Sequence, residues 1–223
     1  MAYVGETRAR KMRAFAVDAG FGLVVQRGRV GKAAIHLWPS YFYDNLAFSD
    51  WRNGTPFDDN AFSDDVAKLA AWSTPLPEGE QGPAPLPPPE FCVLPDRVAA
   101  GLESLALSMT WLDRLQCLGL RWALAVQDGM APADIPWSKP FCVVFVGGSL
   151  EWKKTTAGIW ADEAHKHGKR CHVGRVGNKD AVRWAADLGA DSVDTAQCLW
   201  AMDSARRYRG AIQSANKQLK WSF

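Results

Sequence analysis

Phe141-Cys142-Val143-Val144-Phe145-Val146 is an apolar run that ends abruptly at Gly147-Gly148, and a helical pattern from about Lys154 to His167 follows it. Six apolar residues stopped by glycine have the length and valine content of a buried strand. The same event recurs along the second half of the chain. Phe91-Cys92-Val93-Leu94-Pro95 ends at Asp96, Trp122 to Val126 at Gln127, Cys171-His172-Val173-Gly174 at Arg175, and Ser192-Val193 at Asp194. The end points lie about 20 to 30 residues apart, the size of one strand-plus-helix unit. Helical stripes fill the gaps: Leu102, Leu105, Met109, Leu112 and Leu115 within Val98 to Leu118, and Ala181, Val182, Ala185 and Leu188 after Asn178. Five successive units with polar residues only at the strand ends predict an α/β chain folded as a (β/α)8 TIM-type barrel, with its functional face at those ends.

The first half is read less directly. Thr7 to Ala19 has an amphipathic helical pattern stopped by Gly20, and Gly22 to Gln26 is a short strand. Tyr41-Phe42-Tyr43 is a strand ending at Asp44-Asn45, and a helix from Asp64 to Trp72 is expected with Ser63 as its cap. Seven prolines between Ser73 and Glu90 exclude helix and sheet interior, so residues 73–90 are expected to be a surface connection. Ser204 to Lys220 is expected to be a basic C-terminal helix. The whole of 1–223 suits one domain. Its N-terminal portion is compressed, which leaves open a compact barrel that is incomplete or is completed by a second copy.

A composition of 48% hydrophobic and 22% charged residues is that of an ordinary globular domain, and a net charge of +2 does not itself call for a nucleic-acid partner. The distribution of charge says more. Bases dominate Arg8 to Lys32, among them Arg10, Lys11 and Arg13, and again from Arg206 through Arg207 and Arg209 to Lys220, while six aspartates lie between Asp44 and Asp65. Such flanks suit either a polyanion approaching one face or simply solvated surface. Five scattered cysteines without CxxC spacing give no zinc site, so no metal is expected, and their placement in strands suits a reducing compartment. No apolar stretch approaches the length of a membrane span, and a cytoplasmic location is expected.

The strand ends collect the candidate residues: Asp44, Asp96, Gln127, Asp128, Gly147, Gly148, His172, Arg175 and Asp194. A charge that directly ends an apolar run is costly to desolvate unless it meets a ligand or partner. Three carboxylates and an amide at one barrel mouth suit a planar ligand with several N–H donors, such as a purine. Each residue also has a plainer reading. Asp44 and Asp128 suit turns, Asp96 a helix cap, and His172 a hydrogen-bonded core position.

VLPD (Val93 to Asp96), SMTW (Ser108 to Trp111), AVQDG (Ala125 to Gly129), FVGGS (Phe145 to Ser149) and VGRVGNKDAVRWAADLGADSVDT (Val173 to Thr195), together with YDNLAF (Tyr43 to Phe48), resemble in order the guanine transglycosylases. The resemblance is closer to the short bacterial and phage branch that acts on DNA. It implies exchange of guanine in DNA for a 7-deazaguanine base, without a cofactor. Asp194 would be the nucleophile at the sugar C1′, and Asp44 the proton donor and acceptor. Asp96, Gln127, Gly147 and Gly148 would hold the base edge, with Asp128, Glu151, His172 and Arg175 as neighbouring substrate-binding groups. Asp191 is a rival nucleophile, but it begins the last strand instead of ending it. The tRNA-modifying enzymes carry clustered cysteines and a histidine on zinc near the C terminus, where this chain has only Cys198, so DNA is the expected substrate and the zinc subdomain is expected to be absent. The phosphates would meet Arg8, Arg10, Lys11, Arg13, Arg206, Arg207 and Arg209, and a homo-oligomer is compatible with this picture. The alternatives are a nucleoside or nucleotide glycosidase, a tRNA-guanine transglycosylase, and a silent barrel that only binds a base or nucleic acid.

Overall fold

Eight short strands pair in parallel, in chain order, to close a barrel in the computed structural model, which describes residues 1–7, 9–75, 82 and 84–220, with side chains to residue 216. The strands are β1 (Ala2–Val4), β2 (Gly22–Gln26), β3 (Tyr41–Asp44), β4 (Cys92–Val93), β5 (Trp122–Val126), β6 (Val143–Val146), β7 (Arg170–Val173) and β8 (Ser192–Thr195). Around them run α1 (Arg10–Asp18), α2 (Lys32–Ile35), α3 (Ala47–Asn53), α4 (Asp59–Ser73), α5 (Gly101–Leu115), α6 (Leu150–Lys166), α7 (Lys179–Asp187) and α8 (Met202–Lys220).

The ring is complete within one chain, so the incomplete barrel left open by the sequence is corrected. The missing strand is β1, which lies between β2 and β8 with Tyr3 opposite both Gly22 and Asp194. Three apolar residues ahead of an arginine-rich helix carry too little periodicity to register as a strand, yet all three are buried. Helix bounds also shift. The first helix begins at Arg10 and not Thr7. The helix expected from Asp64 begins at Asp59 and is capped by Asp58, whose side chain accepts from the Ala61 N–H, in place of Ser63. Ser149 caps α6, so that helix begins one turn earlier than its apolar pattern suggested. The helix expected from Val98 begins at Gly101, and its last turn tightens to 3-10 over Gln116–Leu118. Of the proline-rich connection, residues 76–81 and 83 lie outside the described residues. Its later part returns to the barrel, where Leu86 is buried and the Pro87 carbonyl accepts from the Tyr41 hydroxyl.

Two apolar layers result. Helices pack on the outside of the ring through residues such as Phe62, Leu112, Trp160 and Tyr208. Inside the ring a second cluster gathers Tyr3, Val24, Phe42, Phe91, Val93, Ala123, Ala125 and Val143, with Phe145 packed on it. Successive strand residues point to opposite faces, so these inward positions recur every second residue. Phe42 and Phe91 stack at 4.6 Å, and Tyr3 meets Phe42 edge-on at 4.9 Å. Alanines at 123 and 125 on β5 leave room for these rings in the same cavity. Gly22 does the same for Tyr3, since a Cβ there would lie 2.4 Å from that ring. Gly22→Ala is therefore expected to destabilise the fold by about 1–3 kcal/mol, and Tyr3→Ala by about 3–5 kcal/mol, in urea unfolding. Unchanged midpoints would show that β1 does not close the barrel.

Candidate functional site at the barrel mouth

The two-residue alternation that turns Phe42, Ala125, Phe145 and Ser192 inward places Asp44, Gln127, Gly147 and Asp194 one step further on, facing the barrel axis at the C-terminal ends of β3, β5, β6 and β8. These residues line a cavity of about 420 Å³, together with Asp96 from the loop after β4, and Phe42, Val93, Ala125 and Phe145 form its floor. The volume falls in the range of small-molecule sites.

The carboxylates there sit in different surroundings. Burial pushes Asp44 from an ordinary 3.8 up to about 7, against the Leu46 N–H that donates to its Oδ1 at 3.0 Å, and the negative charges of Asp194 and Asp96 push the same way. Burial also pushes Asp96 up to about 6, although Asn45 Nδ2 donates to Oδ1 at 2.7 Å and Gln127 Nε2 donates to Oδ2. Asp194 has two donors on Oδ1: the Arg175 backbone N–H at 3.1 Å and His172 Nε2 at 3.0 Å. His172 itself is fully buried beneath the mouth, stacked on Phe145 at 4.6 Å, with Nδ1 2.8 Å from Ser192 Oγ. Burial lowers its pKa, which favours the neutral ring. An ionised carboxylate can only accept, so Asp194 fixes the proton on Nε2 and leaves Nδ1 to accept from Ser192.

Not all the residues singled out from the sequence reach the cavity. Gly147, Gly148 and Arg175 line it with Asp44, Asp96, Gln127 and Asp194. Gln127 is engaged at both ends of its amide, since its Oε1 accepts from the Ala99 N–H at 2.7 Å while its Nε2 holds Asp96. Its role in this geometry is to orient Asp96. Asp128 lies outside and ties two loops together, accepting from Ser149 N–H at 2.7 Å and Ser149 Oγ at 2.5 Å. Glu151 is exposed on the first turn of α6. His172 supports Asp194 from below. Gly148 is required twice over: its φ is +70°, and a Cβ would meet Asp128 Oδ2 at 2.5 Å. Asp191 is at the opposite end of the barrel, held by His165 Nε2 at 2.9 Å and the Cys171 N–H at 2.7 Å.

Several residues in or beside the mouth had no signal in the sequence. Asn45 is 2% exposed and donates to both Asp96 and the Leu94 carbonyl, while its Oδ1 accepts from Ala47 N–H. Phe48 on α3 reaches across the mouth to Arg175, whose guanidinium lies 3.9 Å over its ring and donates to the Gly148 carbonyl. β3 and β7 are four places apart in a ring of eight, so this contact spans the barrel. Lys153, buried on α6, donates to the Gly174 carbonyl at 2.5 Å, and burial together with the nearby Arg175 lowers it to about 8. Trp200, 78% exposed, stands on the rim. Leu46, Ala99 and Arg175 all have positive φ without being glycine, and all sit in loops at this mouth. Such conformations each cost about 1–3 kcal/mol and gather where side chains must be aimed.

Of the basic residues, Arg10, Lys11, Arg206 and Arg207 are exposed on the early turns of α1 and α8, at the mouth end. Arg13 donates to the Thr7 carbonyl, Arg209 pairs with Asp18 at 3.5 Å, and Arg8 lies outside the described residues. Among the described residues, no group of His, Cys, Asp and Glu could hold a metal ion, and no helix is long and apolar enough to cross a membrane.

No family model and no curated protein matches this chain. Solved structures do. The fold is similar to 3-hexulose-6-phosphate synthase from Salmonella typhimurium (TM-score 0.55, 13% identity, 96% of this chain and 99% of that one). It is similar to RipC from Yersinia pestis (TM-score 0.52, 13% identity, 96% and 93%) and to a mandelate oxidase (TM-score 0.53, 13% identity, 96% and 73%). At such identities the likeness shows the fold alone, and the chain is a (β/α)8 TIM barrel.

Proposed function

We propose that the barrel mouth is the active site of a pentosyltransferase that exchanges guanine in DNA for a 7-deazaguanine base. One observation carries this reading: Asp44 and Asp194 line one purine-sized cavity but in surroundings that separate their roles. Asp44 has a raised pKa and is protonated near neutrality, as an acid must be. Asp194 is met by two donors, as a carboxylate nucleophile must be. Two carboxyl groups at one cavity, one of them buried and proton-holding, are the usual equipment for breaking a glycosidic bond.

In this reading a carboxylate oxygen of Asp194 attacks C1′ as the bond from C1′ to the base nitrogen breaks. The bonding pair leaves with guanine, which takes the proton from Asp44. The incoming base gives its proton to the Asp44 carboxylate, its nitrogen attacks C1′, and Asp194 is released ionised. Asp96, aimed by Asn45 and Gln127, accepts N–H donors from the base edge. Phe48 offers one base face an apolar surface. DNA phosphates would meet the exposed bases at the mouth end of α1 and α8.

Exchange of labelled guanine into DNA, read by nucleoside mass spectrometry after digestion, tests the assignment. Asp194→Ala and Asp44→Ala are each expected to lose at least about a thousandfold in rate with an intact fold, and wild-type turnover in Asp194→Ala would reject it. The wild-type rate of guanine release should fall above pH about 7 as Asp44 loses its proton. Stability carries an independent sign. The folded carboxyl of Asp44 keeps its proton up to pH about 7, whereas the unfolded chain releases it near 3.8. Stability from this group is therefore complete at acid pH and is lost as pH rises toward 7. Asp44→Asn should gain on wild type by about 3–4 kcal/mol between pH 4 and pH 8 in urea unfolding, and a difference independent of pH would contradict the burial of this charge.

A further inference from the structure

A second cavity, also about 420 Å³, lies between α6 and α7 just outside the mouth. Its walls are apolar where the helices face each other, with Leu150 and Trp184 the largest contributors, and Lys153, Lys154 and Arg175 add cationic groups. Asp180 is the carboxylate on this lining, and its charge is met by Arg183 at 3.2 Å. Leu150 is 65% exposed and gives the groove an accessible apolar wall. Arg175 lines both this groove and the mouth cavity, so the two are neighbours on either side of that residue.

The charge around the mouth is uneven in the same direction. The rim from β6 round through β8 to β2 carries Lys154, Lys179, Arg207, Arg10 and Lys11 as exposed cations and Arg206 paired with Asp203 at 3.1 Å, against exposed Glu6, Glu151 and Asp180. The loops and helices after β3 carry exposed Asp58, Asp59 and Asp64, with Asp50 paired to Arg27 at 2.7 Å and Arg52 the exposed cation among them. A polyanion leaving the mouth is repelled on the β3 side and attracted on the side where the groove opens. An apolar slot with one aromatic face and cations at its edge matches a nucleotide, whose base is apolar on its faces and whose phosphate is anionic.

We propose that the α6–α7 groove is a second nucleotide subsite. It holds an unpaired nucleotide next to the one whose base enters the mouth, with the base against Trp184 and Leu150 and the phosphate near Lys154. This rests on the mouth accepting a base from a polynucleotide, and it adds that the strand is single where it is bound and leaves over β6 and β7. The groove is then what distinguishes a strand from a free nucleoside.

Fluorescence-anisotropy titration of labelled DNA and RNA oligonucleotides of one, two, three and five nucleotides tests this, against wild type, Lys154→Glu and Trp184→Ala. Calorimetric binding of free guanine serves as the control for an intact mouth. In wild type, affinity should rise about tenfold on adding the nucleotide that reaches the groove. Both variants should lose that increment and keep guanine binding. Lys154→Glu should also lower the slope of log affinity against log salt by about one. If Trp184→Ala loses guanine binding as well, Lys154→Glu alone decides. The proposal is overturned if the increment is absent in wild type or survives in Lys154→Glu, or if sedimentation shows the groove closed by a second copy of the chain. Base exchange with an unchanged increment would remove the groove and leave the mouth chemistry. A groove-dependent increment without exchange would do the reverse.

Discussion

A strand turns alternate side chains to opposite faces, and a closed parallel ring leaves the inward set nowhere to go but the barrel axis. Everything at the mouth follows from that constraint. Below, the inward set is aromatic and aliphatic, and it fills the ring with Tyr3, Phe42, Phe91 and Phe145. One step further up the same strands it becomes Asp44, Gln127, Gly147 and Asp194. The change from apolar to polar happens while the strands are still paired, so the carboxylates stand over a dry floor, where charge is expensive. Asp44 and Asp96 accordingly hold their protons toward neutral pH.

Around that layer the loops act as a positioning frame. Asn45 and Gln127 both spend donors on Asp96, and Gln127 also anchors the strained Ala99. His172 links Ser192 to Asp194 from inside the ring, so this carboxylate is braced from beneath. The Phe48–Arg175 contact joins loops from opposite strands over the cavity. Removing a ring strand would displace these parts together. β1 matters most in this respect, because it pairs directly with β8 opposite Asp194.

The sequence exposes this design unevenly, for physical reasons. Buried parallel strands read as apolar runs, so β5, β6 and β7 and the polar residues after them were legible, and so were the helices between them. β1 was not, because three apolar residues give no measurable period. α3 was missed because it follows Leu46 in a left-handed conformation that nothing in its residue type announces. Asp44, Asp96 and Asp194 were identifiable from position alone. The raised pKa of Asp44 and Asp96 was not, since it depends on burial by the other strands and loops. Asp128 looked like its neighbours in sequence, but strand-end position does not say whether a side chain points inward or ties a loop. Asn45, Phe48 and Lys153 carry no local pattern that separates them from ordinary loop and helix residues.

The claim at the centre is that Asp194 forms a bond to a sugar carbon while a base leaves from the cavity above it. Incubation with a guanine-containing oligonucleotide, denaturation at acid pH and intact-protein mass spectrometry would test that most directly. The account predicts an adduct of protein plus oligonucleotide less one guanine, mapped by peptide sequencing to Asp194. A labelled peptide containing Asp44 or Asp191 instead, or base exchange proceeding with no covalent species under any trapping condition, would contradict it.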